Sequence, residues 1–212
     1  MPPALTTIKH TLAFVGNLAG TALTRFRCAS CEQLLRHDAV FCASCHETVV
    51  ECPSRAGPAY GHYGGALAHA IHRFKYLARP DLARPLGSLL ARLDPIDVDV
   101  IVPVPLHPRR LLERGYNQAA LLATEMGRSR GIPVAHRALR RLRHGQPQTG
   151  LDRSQRLKNL ADAFSLRQPN AVRGRRVLLI DDVRTTGATL AACSGALSDA
   201  VIIHAAVLAD SI

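Results

Sequence analysis

Arg176 to Leu190 reads RVLLIDDVRTTGATL, and this stretch decides the fold. Val177, Leu178, Leu179 and Ile180 form an unbroken apolar run led by a β-branched residue, the pattern of a parallel strand covered on both faces. Asp181 and Asp182 follow at the expected C-terminal end of that strand, the edge where open α/β sheets bind ligands. Arg184, Thr185, Thr186, Gly187, Ala188 and Thr189 then supply small residues, hydroxyls and one flexible backbone position just before a helical pattern over Leu190 to Leu197. The first N–H groups of a helix lack intrahelical partners and, with the helix dipole, favour an anion. An acid pair directly upstream repels phosphate but accepts hydrogen bonds from sugar hydroxyls and helps to hold Mg²⁺. The combination fits a sugar phosphate better than a bare anion. The alternative is plain fold chemistry, a strand, a turn and a helix capped by Thr189.

Working outward, Asp99 to Leu106 (DVIVPVPL) is a second strand whose prolines predict that pairing stops as the chain leaves the sheet. His107, Pro108, Arg109 and Arg110 read as a basic loop, followed by Leu111 to Gln118 and a helix to about Gly127. Basic groups at that sheet edge suit a second phosphate; the alternative is a solvated turn. Upstream, Ala66 to Leu93 carries the spacing of two amphipathic helices broken at Arg79-Pro80-Asp81, with Lys75 and Tyr76 closing the first. Lys75 on these grounds is a cation at a helix C-terminus. Ile132 to Val134 and Ala163 to Leu166 read as short strands, and Ala200 to Leu208 as a last buried one.

Cys28-x2-Cys31-x10-Cys42-x2-Cys45 is the second strong signal. Four thiolates in two knuckles satisfy a structural Zn²⁺ and leave no open position for catalysis. Disulfides are the alternative and require an oxidising compartment, which nothing else in the sequence supports. His46 and Cys52 lie beside the set as surplus, and Cys193 reads as a small buried residue. The first 27 residues carry one-sided helical spacing, with a secretory signal as the rival; Asn17 interrupts the apolar run and no A-x-A site follows. The Pro- and Gly-rich segment from Cys52 to Gly65 marks a boundary, so residues 1–55 form an N-terminal helix and zinc ribbon and residues 56–212 the main domain.

The chain has 212 residues, 47% hydrophobic and 20% charged, enough for one substantial core and a small appendage. No apolar run approaches 18 residues, so no membrane span is expected. A net charge of +11 attracts polyanions, pyrophosphate or DNA alike, while 4% aromatics and no Trp leave few stacking platforms for single strands. The charge is densest at Arg137, Arg140, Arg141 and Arg143, ahead of the Gly-, Pro- and Gln-rich stretch His144 to Gly150. A mobile basic flap suits either a closing lid or a DNA-binding loop.

DDVRTTGAT resembles the phosphoribosyl pyrophosphate (PRPP) signature of type I phosphoribosyltransferases. The order of zinc ribbon, FKY, VPVPLHPRRLLERGYNQAALLA, QPQTGLDRSQRLKNLADAF and VLLIDDVRTTGATL resembles the ComF family of competence-type phosphoribosyltransferase proteins from about Cys28 onward. The resemblance implies a mostly parallel sheet flanked by helices plus the zinc ribbon. It also implies PRPP-dependent transfer of ribose 5-phosphate with Mg²⁺ and a link to DNA uptake through single-stranded DNA or other uptake proteins, while cysteines read as zinc ligands rather than disulfides place the chain in the cytoplasm. Carried over by position, Asp181 and Asp182 take the ribose, Thr185, Thr186, Gly187, Ala188 and Thr189 the 5′-phosphate, and Lys75 joins the PRPP set. Arg109, Arg110 and Arg114 take the pyrophosphate, with Arg114 also catalytic beside the acid pair, and Gln148, Arg156 and Asn159 match the lid-like segment. Arg137, Arg140, Arg141 and Arg143 are the candidate nucleic-acid contacts. A DNA platform and a PRPP sensor without chemistry are the rival functions, because fold does not decide function.

Overall fold

A computed structural model of the chain describes residues 26–52, 58–94, 96–142 and 163–211. In chain order the elements are α1 (Ala43–His46), β1 (Ala59–His62), α2 (Gly65–Tyr76), α3 (Ala83–Leu90), β2 (Val100–Pro103), α4 (Pro108–Arg114), α5 (Gln118–Arg130), β3 (Leu139–Arg141), β4 (Phe164–Leu166), β5 (Arg176–Arg184), α6 (Ala188–Ala196) and β6 (Ile202–Asp210). Four strands form one sheet in the order β1-β6-β5-β2, every neighbouring pair parallel, while β3 and β4 make a separate antiparallel pair. Among the described residues no helix is long and apolar enough to cross a membrane.

The apolar run of β5 is covered on both faces, as its composition predicts. Leu178 and Ile180 pack with Leu67, Ile71 and Phe74 of α2, Leu86, Leu89 and Leu90 of α3, and Leu122 and Met126 of α5. Val177 and Leu179 point the other way, into a cluster with Leu190 and Cys193 of α6 and Phe164 of β4. Each fully buried side chain of this size contributes about 1.5–3 kcal/mol. Helices α3 and α5 approach closely at Gly87, where a Cβ would stand 2.5 Å from that of Glu125.

The elements differ from expectation mainly in five places. β2 stops at Pro103 rather than Leu106; Val104 makes one last bond to Ile180 (2.9 Å) before Pro105, which has no N–H, leaves the sheet. β5 runs on to Arg184, because β6 continues to pair with it as far as Asp210. The predicted basic loop at Pro108 is a helix: proline preorganises its first turn, and the His107 side chain accepts a hydrogen bond from the Arg109 N–H. α5 reaches Arg130 and ends where Gly131 turns left-handed (φ 68°). The expected strand at Ile132 to Val134 is a single bridge between Val134 and Ile101.

The cysteine-rich segment does not build a separate core. Cys28, Ala29, Val40, Phe41 and Cys42 join the cluster formed by Leu67, Ala70 and Phe74. Arg73 of α2, 5% exposed, donates to the carbonyls of Ala29 (2.9 Å) and Ser30 (3.0 Å) and pairs with Glu32. The N-terminal helix, the 55/56 boundary, Arg143 and the stretch from His144 through Gln148, Arg156 and Asn159 lie outside the described residues.

Candidate functional site

The acid pair stands in a notch that sheet topology creates. β2 pairs with β5 only as far as Pro103 opposite Ile180, whereas β6 accompanies β5 to Arg184. From Asp181 onward, β5 therefore has one edge unpaired by any strand among the described residues, at the C-terminal end of the sheet, the position where α/β sheets open a ligand crevice. Asp182 is 7% exposed, and its Oδ1 lies 2.7 Å from Lys75 Nζ, so the cation at the end of α2 is tied to the signature strand. Asp181 Oδ1 accepts the Asp182 N–H at 2.9 Å. Burial, and then repulsion from the Asp182 carboxylate, push the Asp181 carboxyl up to about 7. Two carboxylates crowded in this way suit partners that supply protons or positive charge, namely sugar hydroxyls or a hard cation such as Mg²⁺.

Beyond the strand, Gly187 adopts a left-handed conformation (φ 74°) as the N-cap of α6. An added Cβ would meet nothing closer than 3.9 Å, so backbone conformation rather than space makes this position glycine's. Thr185 and Thr186 are exposed, Ala188 and Thr189 half-buried, and the loop presents hydroxyls and helix N–H groups to solvent beside the acid pair.

Lys75 also lines a cavity of about 330 Å³ with Tyr76, Ala78, Arg110, Glu113 and Arg114. Three of the six are cations, and Lys75 joins this cavity to Asp182. Arg114 lies over the Tyr76 ring, its Cζ 4.9 Å from the centroid, and its Nη1 donates to Gln118 Oε1 at 3.0 Å. Tyr116 donates its hydroxyl to the Phe74 carbonyl, and Asn117 Nδ2 donates to the Val104 carbonyl at 3.0 Å. The RGYNQ segment thus ties the end of α2 to the segment that leaves β2. Arg110 and Arg114 face the cavity, whereas Arg109, exposed, pairs with Glu113 at 3.1 Å and does not line it.

Of the basic cluster, Arg137 and Arg140 are exposed, and Arg140 Nε donates to Ser165 Oγ at 2.8 Å. Arg141 is half-buried against the Phe164 ring, its Cζ 5.3 Å from the centroid. The sequence pattern missed this inward orientation, and it missed the Arg73 clamp. A β-strand alternation applied to Leu139, Arg140 and Arg141 would have separated the two arginines.

The Sγ atoms of Cys28, Cys31, Cys42 and Cys45 all lie within 4.8 Å of one another, so the four could hold a metal ion such as zinc. Cys31 and Cys42 Sγ are 3.7 Å apart, close to the ~3.8 Å edge of a tetrahedron with ~2.3 Å Zn–S bonds. That spacing is far from a disulfide bond. The Ser44 hydroxyl, 3.4 Å from Cys42 Sγ, is the main influence drawing that thiol down to about 6, which favours the thiolate. His46 and Cys52 are not in the cluster.

No family model matches the chain. Among curated proteins it is 36% identical over 172 residues to competence protein F of Haemophilus influenzae, an alignment covering 77% of this chain and 74% of that one. The chain belongs to the ComF family. This ComF-family chain is also 32% identical to the DNA utilization protein YhgH of Escherichia coli K12 (77% and 80% covered) and 32% identical to competence protein ComFC of Bacillus subtilis (60% and 52%). Solved structures with a similar fold include the glutamine PRPP amidotransferase from B. subtilis (21% identity, TM-score 0.46) and UMP synthase of Leishmania donovani (17%, 0.35). The matches cover 64% and 69% of this chain but only 30% and 25% of those longer ones, and at such scores the likeness carries no weight for function.

Proposed function

We propose that this ComF-family protein binds PRPP with Mg²⁺ and transfers its ribose 5-phosphate to an acceptor, releasing pyrophosphate, in the service of DNA uptake or utilisation. The observation that carries the reading is the Lys75–Asp182 ion pair at 2.7 Å. It sets a cavity lined by Lys75, Arg110 and Arg114 beside the acid pair, with the loop that caps α6 following in the chain, and we read these as one site with cations at one end and helix N–H groups suited to phosphate at the other. PRPP has that polarity: a pyrophosphate, a ribose with two hydroxyls, and a 5′-phosphate.

In this reading Thr185, Thr186, Gly187, Ala188 and Thr189 hold the 5′-phosphate and Asp181 and Asp182 accept from the ribose hydroxyls. Lys75, Arg110 and Arg114 receive the pyrophosphate, with Arg109 at the rim. The C1–oxygen bond breaks with its electron pair leaving on pyrophosphate, the acceptor's lone pair closes on C1, and the acceptor's proton passes to water. Fixed cations at the leaving group and anions beneath the ring stabilise the charge that develops on each. Asp181 and Asp182 are the residues that would hold a Mg²⁺ ion, which would supply further neutralisation of charge on the leaving group.

The names of the relatives, competence and DNA utilization proteins, support the link to DNA. A second reading, a single-stranded DNA platform or PRPP sensor without turnover, draws on exposed Arg137 and Arg140 and on the +11 charge. Incubating the purified protein with PRPP, Mg²⁺ and a panel of bases, amines and oligonucleotides while measuring pyrophosphate separates the readings. Release that depends on one acceptor supports transfer. PRPP binding without release under any acceptor leaves the sensor, and absence of PRPP binding removes transfer and sensor alike and leaves the DNA platform.

A further inference from the structure

Arg140 and Arg141 are consecutive on β3, so their side chains leave opposite faces of the strand. Arg140 is exposed and satisfied by Ser165 Oγ. Arg141 sits opposite Phe164 in the β3–β4 register, lays its guanidinium over that ring, and has its Nε buried with no hydrogen-bond partner among the described residues. It also faces charge: Arg110 of the cationic cavity and Asp181 of the acid pair are both close enough to act on it, yet no ion pair joins it to any described carboxylate. Burial, and then repulsion from Arg110, lower its affinity for the proton. A desolvated guanidinium with an unused donor is costly unless an anion completes it, and a second cation nearby raises that cost.

We propose that Arg141 is an anion ligand of the Asp181–Lys75 site, directing its guanidinium, whose Nε–H has no partner among the described residues, at phosphate oxygens of the molecule bound there, rather than a member of the outward nucleic-acid face. The assignment rests on the phosphoribosyl reading above and extends it by one residue on a separate structural element. It divides the arginine cluster by strand face, with Arg140 turned to solvent and Arg141 turned to the ligand. The phosphate oxygens belong to either the pyrophosphate or the 5′-phosphate end, and two probes separate these ends.

Inorganic pyrophosphate and ribose 5-phosphate, each with Mg²⁺, are titrated calorimetrically into the full chain and into Arg141→Gln, Arg141→Lys and Arg140→Gln, with thermal melts to show that each variant is folded. A charged hydrogen bond lost from a desolvated site corresponds to about a tenfold to hundredfold drop in affinity. Arg141→Gln should therefore lose at least about tenfold for one probe, Arg141→Lys should recover part of it, and Arg140→Gln should bind both as the parent does. Should the Gln variant fail to fold, Arg141→Lys keeps the charge and the apolar stem over Phe164, and its own smaller loss gives the reading. A folded Arg141 variant that binds both probes like the parent overturns the assignment. So does one that loses oligonucleotide affinity as Arg140→Gln does while keeping both probes. If the parent chain binds neither probe, the phosphoribosyl reading falls and the Arg141 assignment with it, an outcome distinct from the first two.

Discussion

Arg73→Met tests whether the cysteine ribbon and the sheet domain stabilise one another. Arg73 is 5% exposed and reaches out of α2 to the carbonyls of Ala29 and Ser30 at 2.9 and 3.0 Å, the turn that carries the first cysteine pair, and to the Glu32 carboxylate. Methionine keeps most of the apolar stem's volume but leaves both carbonyls without that donor. A charged donor to a buried carbonyl is worth about 1.5 kcal/mol at the low end, so the two bonds together contribute about 3 kcal/mol. Relief of the guanidinium's own burial returns part of this, which leaves about 2 kcal/mol net. For a chain of this size 1 kcal/mol moves Tm by about 2–4 °C, so the metal-loaded variant should melt about 4–8 °C below the parent. The assay is thermal unfolding of both proteins at matched metal content, followed by circular dichroism, with Glu32→Gln as a control that keeps both carbonyl bonds and should shift Tm much less. A variant that melts within a degree of the parent, with its metal retained, refutes the clamp.

The purified protein should carry about one zinc per chain, and Cys28→Ser or Cys42→Ser should lose it and lower Tm; elemental analysis showing no zinc, with thiol titration showing disulfides, would overturn the metal centre. Asp182→Asn should weaken PRPP affinity by about tenfold or more, because it removes a ribose acceptor and releases Lys75, and Thr186→Val should weaken it less, through the 5′-phosphate; calorimetry unchanged for both would show a motif without a site. The folded Asp181 carboxyl lies near 7, above the ~3.9 of an unfolded chain, so its contribution to stability is fully present below about pH 4 and is lost as pH rises through about 7. Denaturant unfolding at pH 5 and pH 8 should therefore show a larger fall for the parent than for Asp181→Asn, and equal falls would contradict the raised value.

What the sequence disclosed was local in origin. An apolar run of strand length, an acid pair at its end and a glycine before a helix are all set by neighbours in the chain, and so are the two cysteine knuckles. What it concealed depends on partners far away in sequence. Arg73 looks like an ordinary cation in the last turn of a helix, and only the packing of the ribbon 44 positions earlier makes it a buried clamp. Pairing with β6 extends β5 to Arg184, and nothing in DDVR itself announces that. Arg109, Arg110 and Arg114 form one basic signal in the sequence; helical geometry divides them, giving Arg109 to Glu113 and turning the other two to the cavity.

Three consecutive residues at the end of α2 tie the molecule together. Successive helical positions are rotated by about 100°, so Arg73, Phe74 and Lys75 point in three directions. Arg73 grips the ribbon, the Phe74 carbonyl accepts the Tyr116 hydroxyl from the RGYNQ segment, and Lys75 pairs with Asp182 of β5. The phosphoribosyl reading needs Lys75 at a fixed distance from the acid pair, and the other two contacts add to the core packing of Ile71 and Phe74 in holding that helix end in place. The ribbon then acts as part of the support for the anion site. If the four cysteines hold zinc and the proposed PRPP site is right, stripping the metal should loosen the Ala29–Ser30 turn, deprive Arg73 of its acceptors, and lower PRPP affinity without touching any residue proposed to contact the ligand. Chelator-treated protein that still folds, as judged by circular dichroism, and binds PRPP with the affinity of the zinc-loaded form would show that the sheet and helices hold Lys75 without the ribbon.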